Sequence, residues 1–102
     1  MNPAEGEERV RISDERIHPH LQARMTQRGI TREELDRTLN EGREALDAKP
    51  STKGKVLVLP YRAEWEGKFF EEKEVTVYYK EIQGTILLLT AKARYGEDFR
   101  KE

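Results

Sequence analysis

The chain changes its hydrophobic period once, near Lys55, and that single change limits the folds open to it. Upstream, apolar residues recur three to four positions apart between polar ones; downstream, they alternate or run together in stretches rich in β-branched and aromatic residues. A helical half followed by a strand half, with no return to helical spacing, predicts an α+β domain with N-terminal helices packed on a three- to four-stranded antiparallel sheet. The length of 102 residues suits one hydrophobic core. The chain divides into a polar tail over residues 1–8 and a single domain over residues 9–102. The tail has no apolar side chains beyond Met1 and Ala4, too few to offset the entropy of ordering it. In the segment 9–13, Val10 and Ile12 share a side, which fits a short edge strand or the lead-in to a helix.

Pro19 suits the first turn of a helix, where its missing N–H costs nothing, and Gly29 suits a left-handed terminator; together they predict a helix over Pro19–Arg28, with an earlier start at Ser13 or Asp14 also open. Thr31, Arg32, Glu33 and Glu34 have the form of a capping box and open a second helix, with Leu35 and Leu39 on its apolar face and Asn40 to Gly42 as its stop. Residues 44–54, with Pro50, Ser51 and Gly54, read as a loop. Lys55–Tyr61 reads as a strand that Pro60 assigns to an edge or terminates. Trp65–Phe70 holds three large aromatics around Gly67 and fits another strand or an aromatic hairpin. Val75–Lys80 alternates strongly. After a turn over Glu81–Gly84, the run from Thr85 to Tyr95 has too many consecutive apolar residues for a half-solvated strand and is expected at the centre of the sheet.

Composition then narrows the function. Nineteen Lys and Arg against 20 Asp and Glu give a formal net charge of -1, which excludes a globally basic nucleic-acid binder. Any attraction for phosphate must be local. The absence of cysteine removes disulfides, thiolate metal sites and thiol nucleophiles, and fits a reducing cytoplasm. The run Ile86–Leu89 falls far short of the ~20 apolar residues that span a bilayer, so no membrane partner is expected. There is no nucleophile elbow, phosphate-cradling glycine loop or paired-carboxylate motif. His18 and His20 flank Pro19, but no carboxylate stands at ligand-like spacing from them; neither a metal nor a cofactor is expected.

The most specific motif is His20-x3-Arg24-x3-Arg28-Gly29-Ile30. Residues four apart on a helix lie one turn above each other, so the imidazole and the two guanidinium groups form one stripe beside the apolar stripe of Leu21 and Met25. The helix is expected to pack through that apolar pair. Arg matches phosphate oxygens with planar donors and His transfers protons near neutral pH, the pair a metal-independent ribonuclease needs. Solvated arginines on an ordinary amphipathic helix give the same pattern. On the last strand, Thr90, Lys92 and Arg94 share one face, where Tyr78 or Tyr79 of the preceding strand can join them to bind phosphate or stack on a base; a solvated strand end is the plain alternative.

The motif His20, Arg24, Arg28-Gly29-Ile30, followed by a short helix and by a strand with a threonine in an apolar run (Leu87-Leu88-Leu89-Thr90-Ala91-Lys92), resembles a prokaryotic family of unknown function related to the fold of barnase, EndoU, the tRNase colicins and RelE-type toxins. The resemblance covers about residues 18–95. It implies a helical layer against a four-stranded antiparallel sheet and a toxin-type ribonuclease acting on RNA, with an antitoxin-like protein partner. It also implies His20, Arg24, Arg28 and Thr90 as catalytic residues that meet where helix and sheet adjoin; Lys92, Arg94 and Tyr78, taken from the strand pattern and not from the resemblance, are the candidate substrate-binding residues. The alternative is a non-catalytic binding or accessory module, a homodimer or one half of a two-gene pair. The net charge departs from that of the basic RelE-type toxins.

Overall fold

The structure, a computed structural model, describes Ile17 and residues 19–99. The expectations for the tail and for residues 9–13 lie outside the described residues, as does His18. The elements are helices α1 (Pro19–Arg28) and α2 (Arg32–Glu41), then strands β1 (Arg43–Glu44), β2 (Lys53–Trp65), β3 (Lys68–Ile82) and β4 (Thr85–Gly96). This is the expected α+β arrangement, two helices before a four-stranded antiparallel sheet.

Both helices end and begin as their sequences dictate. Gly29 takes φ 70°, and the N–H groups of Gly29 and Ile30 donate to Thr26 O and Met25 O, the doubled bond of a Schellman turn, with Met25 and Ile30 both buried in the core. Thr31 then caps α2: its hydroxyl accepts from Glu34 N at 3.1 Å while Glu34 Oε1 accepts from Thr31 N at 3.0 Å. The two hairpin turns, Glu66–Gly67 and Gln83–Gly84, have positive φ at both residues, the turn whose twist matches antiparallel strands.

The sheet order is β1-β2-β3-β4, and residues alternate between its two faces, with the parity of β4 changing where its pairing with β3 shifts between Tyr78 and Tyr79. Leu59 on β2, Val75, Val77 and Tyr79 on β3, and Leu88 and Ala91 on β4 join Leu21 and Met25 of α1 and Leu35 and Leu39 of α2 in one core. Leu21 and Met25 are buried, as the apolar stripe of α1 requires. Both helices therefore lie on one side of the sheet, α1 over β4 and α2 over β2 and β3. The other side carries Glu74, Thr76 and Tyr78, with Arg94, Lys92 and Thr90 as their direct cross-strand partners.

Two strand expectations need correction. Among the described strands the apolar β4 is an edge, not the centre. Its apolar content comes from the helical layer, which covers Ile86, Leu88, Ala91 and Ala93, while Leu87 remains 47% exposed. Conversely, β2 runs through Pro60 to Trp65 with β3 beside it. Among the described residues β1 pairs only with Lys55 and Val56, so Pro60 lies outside that pairing, in keeping with the edge position expected of it, and the pairing with β3 is interrupted between Pro60 and Ala63. Finally, a short strand, Arg43–Glu44, takes in the first residue of the segment 44–54 expected as a loop. Among the described residues, no helix is long and apolar enough to cross a membrane.

Candidate functional site

The α1 stripe is bound into the fold at its C-terminal end. Arg28 Nη1 donates to Ala91 O on β4 at 2.6 Å, and Arg28 O accepts from the Tyr95 hydroxyl at 2.6 Å. Arg28 thus fastens the helix to the edge strand. Arg24 is half-buried and His20 is exposed.

Beside this joint lies a group that sequence reading missed. Lys73 is only 1% exposed on the helix side of β3, and its ammonium donates to Gly29 O and, at 2.7 Å, to Glu34 Oε1. It sits 5.4 Å and 5.3 Å from the ring centroids of Tyr61 and Tyr95, within cation–π range. Trp65 stacks on Tyr95 with centroids 5.0 Å apart, and Phe70 tilts against the same ring. Burial pushes the Tyr95 phenol far above its ordinary value. Of the three aromatics around Gly67, Trp65 and Phe70 are therefore committed to an internal cage, and Phe69 stands 55% exposed.

The opposite face of the sheet is where cations, hydroxyls and carboxylates meet. Glu74, with its side chain 13% exposed, accepts from Arg94 Nε and Nη2 at 3.2 Å each in a forked pair, and Arg43 Nη2 approaches it at 4.0 Å. One pleat along, the Tyr78 hydroxyl donates to both oxygens of Asp47 at 2.9 Å, and Lys92 Nζ lies 3.4 Å from Asp47 Oδ2 and 5.4 Å from the Tyr78 ring centroid. The Tyr78 hydrogen bond, with help from Lys92, holds the Asp47 carboxyl below its ordinary value; contacts with Tyr78 and then Asp47 raise the Lys92 ammonium. Arg43, Asp47, Glu74, Thr76, Tyr78 and Lys92 line a hollow of about 230 Å³. A larger hollow of about 500 Å³ on the helix side is lined by Ile17, Met25, Ile30 and Arg32 among others, and gathers none of the tyrosines or lysines.

The sequence-derived residues thus fall into two sets. Thr90, Lys92, Arg94 and Tyr78 share the helix-free face, as their spacing and strand pairing require. His20, Arg24 and Arg28 belong to the helix on the other side. The expected meeting of His20 with Thr90 across one concave surface is therefore corrected: Ala91 faces the helices, so its neighbour Thr90 faces away from them. Asp47, Glu74 and Arg43 were missed because their approach depends on loop closure and register. Among the described residues, no three His, Asp or Glu side chains gather closely enough to hold a metal ion. Comparison with models of protein families, with curated proteins and with solved structures found no match.

Proposed function

We propose that this domain is a ribonuclease-like domain of the toxin type that engages RNA through the helix-free face of its sheet, without a metal. What carries the reading is the grouping on one shallow surface of a carboxylate, Glu74, a phenol, Tyr78, and three cations, Arg43, Lys92 and Arg94. Such a set supplies every role that metal-independent RNA cleavage asks of a protein. Glu74 accepts the proton of a ribose 2′-hydroxyl as O2′ bonds to phosphorus. The P–O5′ bond breaks, and Tyr78 gives its proton to the departing O5′. The products are a 2′,3′-cyclic phosphate and a 5′-hydroxyl. Lys92, Arg94 and Arg43 hold the phosphate oxygens, whose charge grows in the transition state. The resemblance to the barnase and RelE group supports the same substrate class and an antitoxin-like partner.

A second reading, a non-catalytic RNA-binding or accessory module, is favoured by one observation: the imidazole of His20 stands on the other side of the sheet from Thr90, so the histidine-based constellation does not form. Incubation of purified protein with RNA in EDTA separates the two. Cyclic-phosphate ends that appear with wild type and His20→Ala but are lost with Glu74→Gln support cleavage on the sheet face. Binding without cleavage, together with growth inhibition that survives Glu74→Gln, supports the accessory reading. Loss of cleavage in His20→Ala with Glu74→Gln unaffected would return the chemistry to α1 and sink the sheet-face assignment.

A further inference from the structure

We infer that Asp47 is an internal competitor for the phosphate of the ligand: its carboxylate occupies the donors of Tyr78 and Lys92 in the free protein and must leave for RNA to bind. The inference rests on the sheet-face reading above and adds a regulatory element to it. The Tyr78 hydroxyl stands 2.9 Å from each Asp47 oxygen and Lys92 Nζ stands 3.4 Å from one of them, the arrangement in which a phenol and an ammonium would hold two phosphate oxygens.

The local chain is built to hold this contact and to release it. Asp47 lies on the connection between β1 and β2. The connection is pinned at Ala45, which is buried and whose N–H donates to Gly54 O at 2.9 Å. Gly54 permits the close approach: a Cβ there would lie 2.8 Å from Ala45 Cβ and 3.0 Å from the Tyr78 ring. Past Ala45 the side chains leave the core, since Leu46 is 92% exposed and Asp47 is exposed as well. A Leu side chain in water at the rim of a polar hollow gains nothing from folding, so it is available to an incoming base or sugar. The Asp47 contact is an exposed ion pair and hydrogen bond, which solvent screens. A phosphodiester can therefore exchange with it without breaking the core. Three cations and two carboxylates form the ion-pair cluster, Arg43, Lys92 and Arg94 with Glu74 and Asp47, so its slight positive excess grows when Asp47 departs, just where a polyanion arrives.

The test measures binding of a labelled single-stranded oligoribonucleotide at fixed, low salt. Asp47→Asn is expected to bind about threefold tighter than wild type, the scale on which one exposed ion pair competes. Lys92→Ala should bind more weakly, and the gain from Asp47→Asn should vanish in the Asp47→Asn, Lys92→Ala double variant. Glu33→Gln, an exposed acid on α2, removes the same charge away from the hollow and is expected to change binding far less. Inorganic phosphate should compete more effectively against Asp47→Asn than against wild type. If Lys92→Ala weakens binding but Asp47→Asn gains no more than Glu33→Gln, the competitor role is overturned while the sheet-face site stands. If no variant binds RNA or phosphate, both are overturned.

Discussion

A lysine ammonium withdrawn from water needs full compensation, and Lys73 receives it from one carbonyl, one carboxylate and two aromatic faces. Each partner belongs to a different part of the fold: Gly29 to the turn between the helices, Glu34 to α2, Tyr61 to β2 and Tyr95 to β4. The side chain therefore ties both helices to three strands through one atom. Lys73→Met keeps the volume but leaves Gly29 O without this donor and Glu34 without its counter-charge. It should lower the unfolding free energy by about 3 kcal/mol, the low end for a broken buried pair because Glu34 keeps some access to water and its bond to Thr31 N. Urea unfolding measures this; a loss below about 1 kcal/mol would mean that the contact is incidental. The sequence hid Lys73 inside the acidic run Glu71-Glu72-Lys73-Glu74, which reads as solvated charge. Its parity with Val75, Val77 and Tyr79 nevertheless puts it on the buried face, a signal present in the sequence but overridden by residue type.

The joint between α1 and α2 is the element on which the helical layer depends. Gly29 has two separate reasons to be glycine: φ is 70°, and a Cβ there would come within 2.5 Å of Trp65 and 2.7 Å of the Tyr95 hydroxyl. Gly29→Ala combines left-handed strain of about 1–2 kcal/mol with overpacking of about 1–3 kcal/mol, so a loss of about 3 kcal/mol is expected. Thr31→Ala, two residues away, removes only a cap and should cost about 1 kcal/mol. Thermal unfolding of both variants should reproduce that order; equal losses would show that the aromatic cage moves aside for a methyl group. Both helices, the glycine terminator and the capping box were legible because their chemistry is local. The strand order was not. An apolar run such as Ile86–Leu89 records burial on one face under α1, and sequence alone does not distinguish a strand neighbour from a helix as the source of that burial.

At the scale of the molecule, the sheet separates two surfaces of different character, the packed helix side with its cage and the open side with its ions. The alternation of two along β4 was enough to assign Thr90, Lys92 and Arg94 to one surface, and pairing with β3 adds Tyr78 and Glu74. What the spacing could not carry was the relation between the α1 stripe and that surface, which depends on the side of the sheet the helix takes. The consequence is measurable, because a chain with net charge -1 attracts RNA only through local cations. Each phosphate neutralised on a single strand contributes about -0.7 to the slope of log affinity against log salt. Were the open face the ligand surface, Lys92→Ala and Arg43→Ala would each make the slope shallower by about 0.7, whereas Arg24→Ala would leave it unchanged. Arg94→Ala would change it less than Lys92→Ala, because Glu74 engages Arg94 Nε and Nη2 and leaves that guanidinium fewer donors for phosphate. A slope that responds to Arg24 and not to Lys92 would place the RNA along α1 and assign the ion pairs of the open face to stability alone.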